Sequence, residues 1–181
     1  LCCATHRLGG EERRPQGDLL EVPLIAVPGL QLGAAHISGS RALAEKRALQ
    51  EWHFYFQNTM RWRNLRKITI AQVHGQVISA GLMLMWACDL IVAAEDTLFS
   101  DVVGTRLGMA GMEYFAHPWE FGPRKTKELM LTSDAIDADE AWRLGMVSKI
   151  YREDQLADKT LAFARRIANV PTMAALMIKE S

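Results

Sequence analysis

Four side chains able to move protons stand close together along the chain: Asp101, Glu113, His117 and Glu120. Histidine titrates near neutral pH and can take or give a proton, and burial raises a glutamate toward the same range. Each also has an ordinary structural use, Asp101 as a turn or helix-capping aspartate near a strand end. Upstream, Gly75, Ser79, Ala80 and Gly81 surround a strand-to-helix junction. Small side chains let a ligand approach the backbone there, and the first N–H groups of a helix have no intrahelical acceptor. An anion, or an oxygen gaining charge during a reaction, is stabilised by such a turn. A helix-opening turn that binds nothing is the plain alternative.

The elements that must position these groups are legible in the segment from Lys67 to Gly108. Ile68 to Val73 alternates β-branched and smaller residues and reads as a central strand. After the small-residue turn, Leu82 to Ala87 is apolar all round and predicts a buried helix in which Met83, Met85 and Trp86 pack the core. Leu90 to Ala94 and Leu98 to Asp101 predict two further strands, with Glu95-Asp96-Thr97 as the turn between them. Upstream, Val22 to Val27 is a candidate strand, and Arg41 to Leu65 reads as an aromatic-rich helix with one apolar face. Downstream, Gly-punctuated residues 102–116 lead to His117-Pro118-Trp119-Glu120-Phe121-Gly122-Pro123, which Pro and Gly keep out of any long helix. Arg124 to Leu131 predicts a helix. Asp137 is an N-cap candidate for the next one, which ends at Gly145, and Met146 to Tyr151 reads as a closing strand. Asp154 to Asn169 is an amphipathic helix, and Pro171 starts another that runs to the end of the sequence.

With 181 residues, one domain is expected, burying roughly 70% of its unfolded surface. Its ends are a poorly defined segment over residues 1–20 and a helical segment over 152–181. Lys+Arg and Asp+Glu both number 21, so no overall charge attracts nucleic acid or an acidic membrane. The longest apolar run, Val77 to Cys88, falls short of the roughly 20 residues that span a bilayer. Cys2, Cys3 and Cys88 lack CxxC spacing, and a cytoplasmic, soluble protein is expected. No His/Cys cluster has metal-ligand spacing, and no Ser or Cys reads as standing in a strand-to-helix elbow beside a base. Neither a metal site nor nucleophilic catalysis is therefore expected.

The order strand, small-residue turn, apolar helix, Cys88-Asp89, strand and Phe99-Ser100-Asp101 resembles the core of the enoyl-CoA hydratase/isomerase (crotonase) superfamily. Thr132-Ser133-Asp134, and Ala138 and Ala141 followed by Gly145-Met146-Val147-Ser148-Lys149, resemble a later stretch of that family. The resemblance implies an α/β fold of the ClpP/crotonase kind, repeated ββα units forming a twisted, mainly parallel sheet flanked by helices. It also implies an acyl-CoA thioester as substrate, no separate cofactor, and a homotrimer or dimer of trimers. In the family, two backbone N–H groups hold the thioester oxygen. Ala80 falls at the middle glycine of the family's Gly-Gly-Gly turn, beside Gly81. Leu32 to Ser40 resembles the family loop that provides the other amide, which maps Ala34 there with His36 close by; a surface-loop histidine is the alternative for His36.

Family hydratases use two glutamates to manage one water, and the first of those positions is Met83 here. A thioether transfers no proton, so the usual two-carboxylate arrangement is absent. Near the second position stand Asp101, Val102 and Val103, with Asp101 the remaining carboxylate. The resemblance implies 2-enoyl-CoA hydration as the default activity. Isomerisation, thioester hydrolysis or another enolate reaction, and a non-catalytic acyl-CoA-binding or assembly homologue, are the alternatives that Met83 raises.

Overall fold

The computed structural model describes residues 2–3, 51–107 and 115–181. The candidate strand at Val22 to Val27, the Leu32 to Ser40 loop and residues 108–114 of the Gly-punctuated segment before His117 lie outside them. At the centre are two strands buried along their length, β2 (Ile70–Val73) and β4 (Leu90–Ala94). They pair in parallel, with Ile70 opposite Leu90 and Val73 opposite Ala93. β1 (Cys2–Cys3) lies outside β2 and β7 (Lys149–Tyr151) outside β4, giving a four-stranded, all-parallel sheet. Cys2–Cys3 thus forms an edge strand.

Alternation along β2 and β4 sends successive side chains to opposite faces. Ala71, Val73, Ile91 and Ala93 join the larger apolar cluster with Leu82, Trp86, Phe99, Phe121 and Leu129. Ile70, Val92 and Ala94 face the other way, onto Leu156, Phe163 and Ile167 of a long C-terminal helix. A parallel sheet covered on both faces is what such continuous apolar runs require.

The sequence reading missed a second sheet. Gly75, at φ +65, turns the chain out of β2, and Gln76–Ile78 forms β3 before the helix α2 (Ala80–Trp86) begins. β3 pairs in parallel with β5 (Leu98–Ser100), which pairs antiparallel with β6 (Ile136–Asp137). The stretch taken as a simple turn is therefore a strand followed by a tight turn, and each unit reads strand, strand, helix: β2-β3-α2, then β4-β5-α3, where α3 is Val103–Leu107. Before these units, Glu51–Phe56 forms π-helical turns continuous with α1 (Gln57–Arg63). From Leu82 to Trp86, α2 is buried except at Leu84, which is 48% exposed, so it is not covered all round.

His117-Pro118-Trp119-Glu120-Phe121 is helical over a short run only. It forms the first turns of α4 (His117–Thr132), which breaks at Gly122 (φ +74, ψ 159) with Pro123 following. Proline is tolerated in the first turn of a helix, where its missing N–H has no partner to lose. α5 (Ala138–Arg143) is capped by Asp137, whose Oδ1 accepts the Glu140 N–H at 2.7 Å, and Gly145 beyond it holds φ +88. The closing strand is shorter than expected, beginning at Lys149. α6 (Glu153–Ala168) and α7 (Thr172–Lys179) complete the chain, with Glu180 at the C-cap of α7. Among the described residues no single helix is long and apolar enough to cross a membrane.

Asp137→Ala removes the cap of α5 and is expected to cost about 1 kcal/mol, read as a fall of roughly 2–4 °C in Tm. An unchanged melting temperature would mean that the cap adds nothing to the stability of the turn.

Candidate functional site

The turn between β3 and α2 is held from several directions. Ser79 stands at φ +47, ψ −103. Its N–H donates to the Ser100 carbonyl at 3.0 Å, and its own carbonyl accepts the N–H groups of Leu82 and Met83 at 2.9 and 3.3 Å. Bonds into the helix thus begin at Leu82, which leaves the N–H groups of Ala80 and Gly81 without intrahelical acceptors. Ala80 is exposed.

Asp101, just past β5, lies under this turn with 0% exposure. Its Oδ1 accepts from Ser79 Oγ at 3.1 Å and from the Val103 N–H at 2.9 Å, and its Oδ2 accepts from His117 Nε2 at 2.8 Å. Burial would push this carboxyl up, but the bonds from His117, Val103 and Ser79 outweigh it and hold the group below its ordinary 3.8. It is a carboxylate fully engaged with donors. His117, from the first turn of α4, is also 0% exposed. Its ring meets the edge of Trp86 with centroids 4.7 Å apart and an interplanar angle of 75°. Phe115 and Phe121 flank it, and among the described residues its Nδ1 has no hydrogen-bond partner.

Of the residues singled out in the sequence, the structure brings Ser79, Ala80, Gly81, Asp101 and His117 to one place. Ala34, His36 and Glu113 lie outside the described residues. Met83 is 3% exposed and packed into the core, with no acid-base group of its own. The sequence predicts no serine in a strand-to-helix elbow beside a base. Ser79 occupies an elbow, at positive φ, and touches a carboxylate, although its hydroxyl contacts Asp101 and not the histidine. Its burial partner could not be read locally, because Asp101 and His117 come from different elements. His74, just after β2, places Nδ1 3.7 Å from Glu153 Oε1.

Glu120 departs from the group. It opens on a cavity of about 580 Å³ lined by Arg63, Trp86, Cys88, Asp89 and Lys179 among others. Trp86 is six residues along α2 from Ala80, about 9 Å by helical rise, so this cavity adjoins the far end of the helix. Burial drives the Glu120 carboxyl up to about 7, opposed by the charge of Arg63. A tie that the sequence did not announce closes the same region. Lys179 Nζ donates to both oxygens of Asp89 at 2.6 Å, and Asp89 in turn accepts from the Thr69 N–H and hydroxyl at 2.6 and 2.9 Å. Within the described residues no group of three or more His, Cys, Asp or Glu side chains could hold a metal ion.

A profile of the family described as Enoyl-CoA hydratase/isomerase matches residues 37–181. EchA13 of Mycobacterium tuberculosis, named provisionally as an enoyl-CoA hydratase, is 76% identical over 137 residues, covering 76% of this chain and 43% of its own length. A solved structure from Mycobacterium smegmatis, likewise named provisionally as an enoyl-CoA hydratase, is 45% identical. It superimposes with a TM-score of 0.72 over 75% of this chain and 56% of that one. One from Mycobacterium thermoresistibile, named in the same way, is 43% identical with a TM-score of 0.74, covering 78% and 60%. The chain thus spans about half the length of the relatives it matches.

The folded Glu120 carboxyl keeps its proton up to about pH 7, whereas an unfolded glutamate loses it near 4.5. The stability this difference contributes is present below the lower value and is lost as pH rises through the higher one. Glu120→Gln is expected to flatten that window. At about pH 8 it should add on the order of 1–2 kcal/mol, less than the full conversion of the shift because solvent reaches the half-buried group. Urea unfolding of both proteins across the window checks this; parallel pH profiles would refute it.

Proposed function

The chain belongs to the enoyl-CoA hydratase/isomerase (crotonase) family, and on that premise we propose that it binds an acyl-CoA thioester and stabilises its enolate with backbone amides. The observation that carries the reading is the amide of the exposed residue Ala80 at the start of α2, free of intrahelical acceptors and following a turn braced by Ser79 and Asp101. When a base removes a proton from the carbon next to the thioester, the carbonyl oxygen takes up negative charge. An amide already aimed at that oxygen lowers the barrier without reorganising. Hydration of a 2-enoyl-CoA is the first reading of the overall reaction, since adding water across the double bond passes through the same enolate.

A second reading is favoured by Met83 together with the geometry of Asp101. Met83 supplies no carboxylate, and Asp101 is bonded to three donors and shielded from solvent. A proton carrier acting on substrate needs a free lone pair within reach of the reacting carbon, which Asp101 does not offer in this arrangement. The chain then acts as an acyl-CoA-binding homologue that forms the enolate slowly or not at all.

Two measurements separate these readings. Incubation of the protein with crotonyl-CoA is expected to remove the absorbance of the conjugated thioester, and butyryl-CoA in heavy water is expected to take up deuterium at the carbon beside the carbonyl. Exchange without hydration identifies an enolate-forming protein with another outcome. Binding of both thioesters by calorimetry with neither reaction leaves the second reading, and absence of binding removes the proposal altogether.

A further inference from the structure

Serine is a costly residue for the backbone it holds. A non-glycine residue in a sparsely populated region costs on the order of 1–3 kcal/mol and persists where the surroundings over-determine it. Ser133, the other positive-φ residue that is not glycine among those described, sits in the ordinary left-handed position ending a helix, at φ 60, ψ 21. Ser79, at ψ −103, does not. A glycine would hold the same backbone with less strain. What serine adds is its hydroxyl, which donates to Asp101 Oδ1 at 3.1 Å and accepts the Val102 N–H at 3.3 Å.

We infer that Ser79, Asp101 and His117 form a positioning array that fixes the direction of the Ala80 amide. The inference rests on Ala80 being an oxyanion donor, and it concerns what aims that donor. The Ala80 N–H lies in the peptide plane joining residues 79 and 80, so rotation about ψ of Ser79 swings it. That rotation is restrained through the amide of Ser79 by Ser100, through its carbonyl by Leu82 and Met83, and through its hydroxyl by Asp101 and Val102. Asp101 can act as an anchor because it is itself fixed by the Val103 amide and by the His117 ring. His117 is wedged edge-on against Trp86 of the very helix that Ala80 opens. The chain of contacts leaves α2 at Ser79, passes through β5 and α4, and returns to α2 at Trp86. Within this array Asp101 and His117 are positioning residues and exchange no proton with substrate.

A double-mutant cycle tests the inference, with deuterium uptake by butyryl-CoA as the rate. Asp101→Asn preserves shape and removes the charge. It is expected to lower kcat about tenfold with KM nearly unchanged, a fraction of the roughly 10²–10³ lost with a whole oxyanion donor. In a Ser79→Gly background, where nothing transmits the change, the same substitution should lower kcat less than about twofold. Melting temperatures establish that each variant is folded. If Asp101→Asn does not fold, His117→Gln replaces it in both backgrounds with the same expectation. Equal losses in the two backgrounds, or no loss in either, overturn the inference while leaving the enolate reading intact. No exchange by the parent protein overturns both.

Discussion

The carboxylate of Asp101 is the constraint to which the other features of the site are fitted. Taking an ion out of water costs several kcal/mol even after relaxation, and a buried aspartate survives only if donors replace its hydration. Here three donors converge, from Ser79, Val103 and His117, and hydrogen bonds to a charged group contribute about 1.5–3 kcal/mol each. Each donor comes from a different place in the chain: the turn ahead of α2, the start of α3 and the start of α4. Removing any of them leaves a buried charge short of a partner. The carboxylate therefore fixes the relative placement of three helix starts as firmly as apolar packing does.

The framework around it follows from parallel pairing. β2 and β4 are mostly apolar on both faces, with Gln72 the one polar side chain, so both sides of the sheet must be covered. The chain does this with α2 and α4 on one side and α6 on the other. The inner strands were legible because they are four and five residues long and apolar but for Gln72. β3 and β6 were not. Three residues and two residues are too few for a period-two pattern to stand out, and their pairing is set by where Gly75 and Asp137 turn the chain. Helix ends carried by a single side chain, such as Asp137 before α5, were readable because a cap is a local event. The helical turn at His117 was not, since its Pro118 reads as a breaker until its place in the first turn is known.

At the site, the same division separates what is local from what is assembled. Ser79-Ala80-Gly81 announces a tight turn from residue size alone, and the structure has a turn there, between β3 and α2. The burial of Asp101 depends on elements far apart in sequence. A carboxylate at a strand end looks the same in sequence whether it faces water or, as here, lies beneath a turn. The outcome changes its chemistry: the candidate for moving a proton becomes a fixed acceptor. Glu120 went the other way. Nothing in its neighbours marked it, yet its place on α4 puts it in a partly closed cavity that raises its carboxyl toward neutrality.

The two ends of α2 consequently carry different electrostatics on one short rod. At its start, N–H groups without intrahelical acceptors favour negative charge. At its far end the carbonyls favour positive charge, and there Arg63 and Lys179 both line the cavity, with Lys179 fastened to Asp89 immediately beyond the helix. Trp86 belongs to both regions, packing on His117 while lining the cavity beside Glu120. A rigid aromatic in that position couples them mechanically: a change in the cavity that shifts Trp86 must also shift the histidine that anchors Asp101, because close-packed rings have no slack to absorb it. The orientation of the Ala80 amide is thus set by the packing of the whole helix and not by its first turn alone.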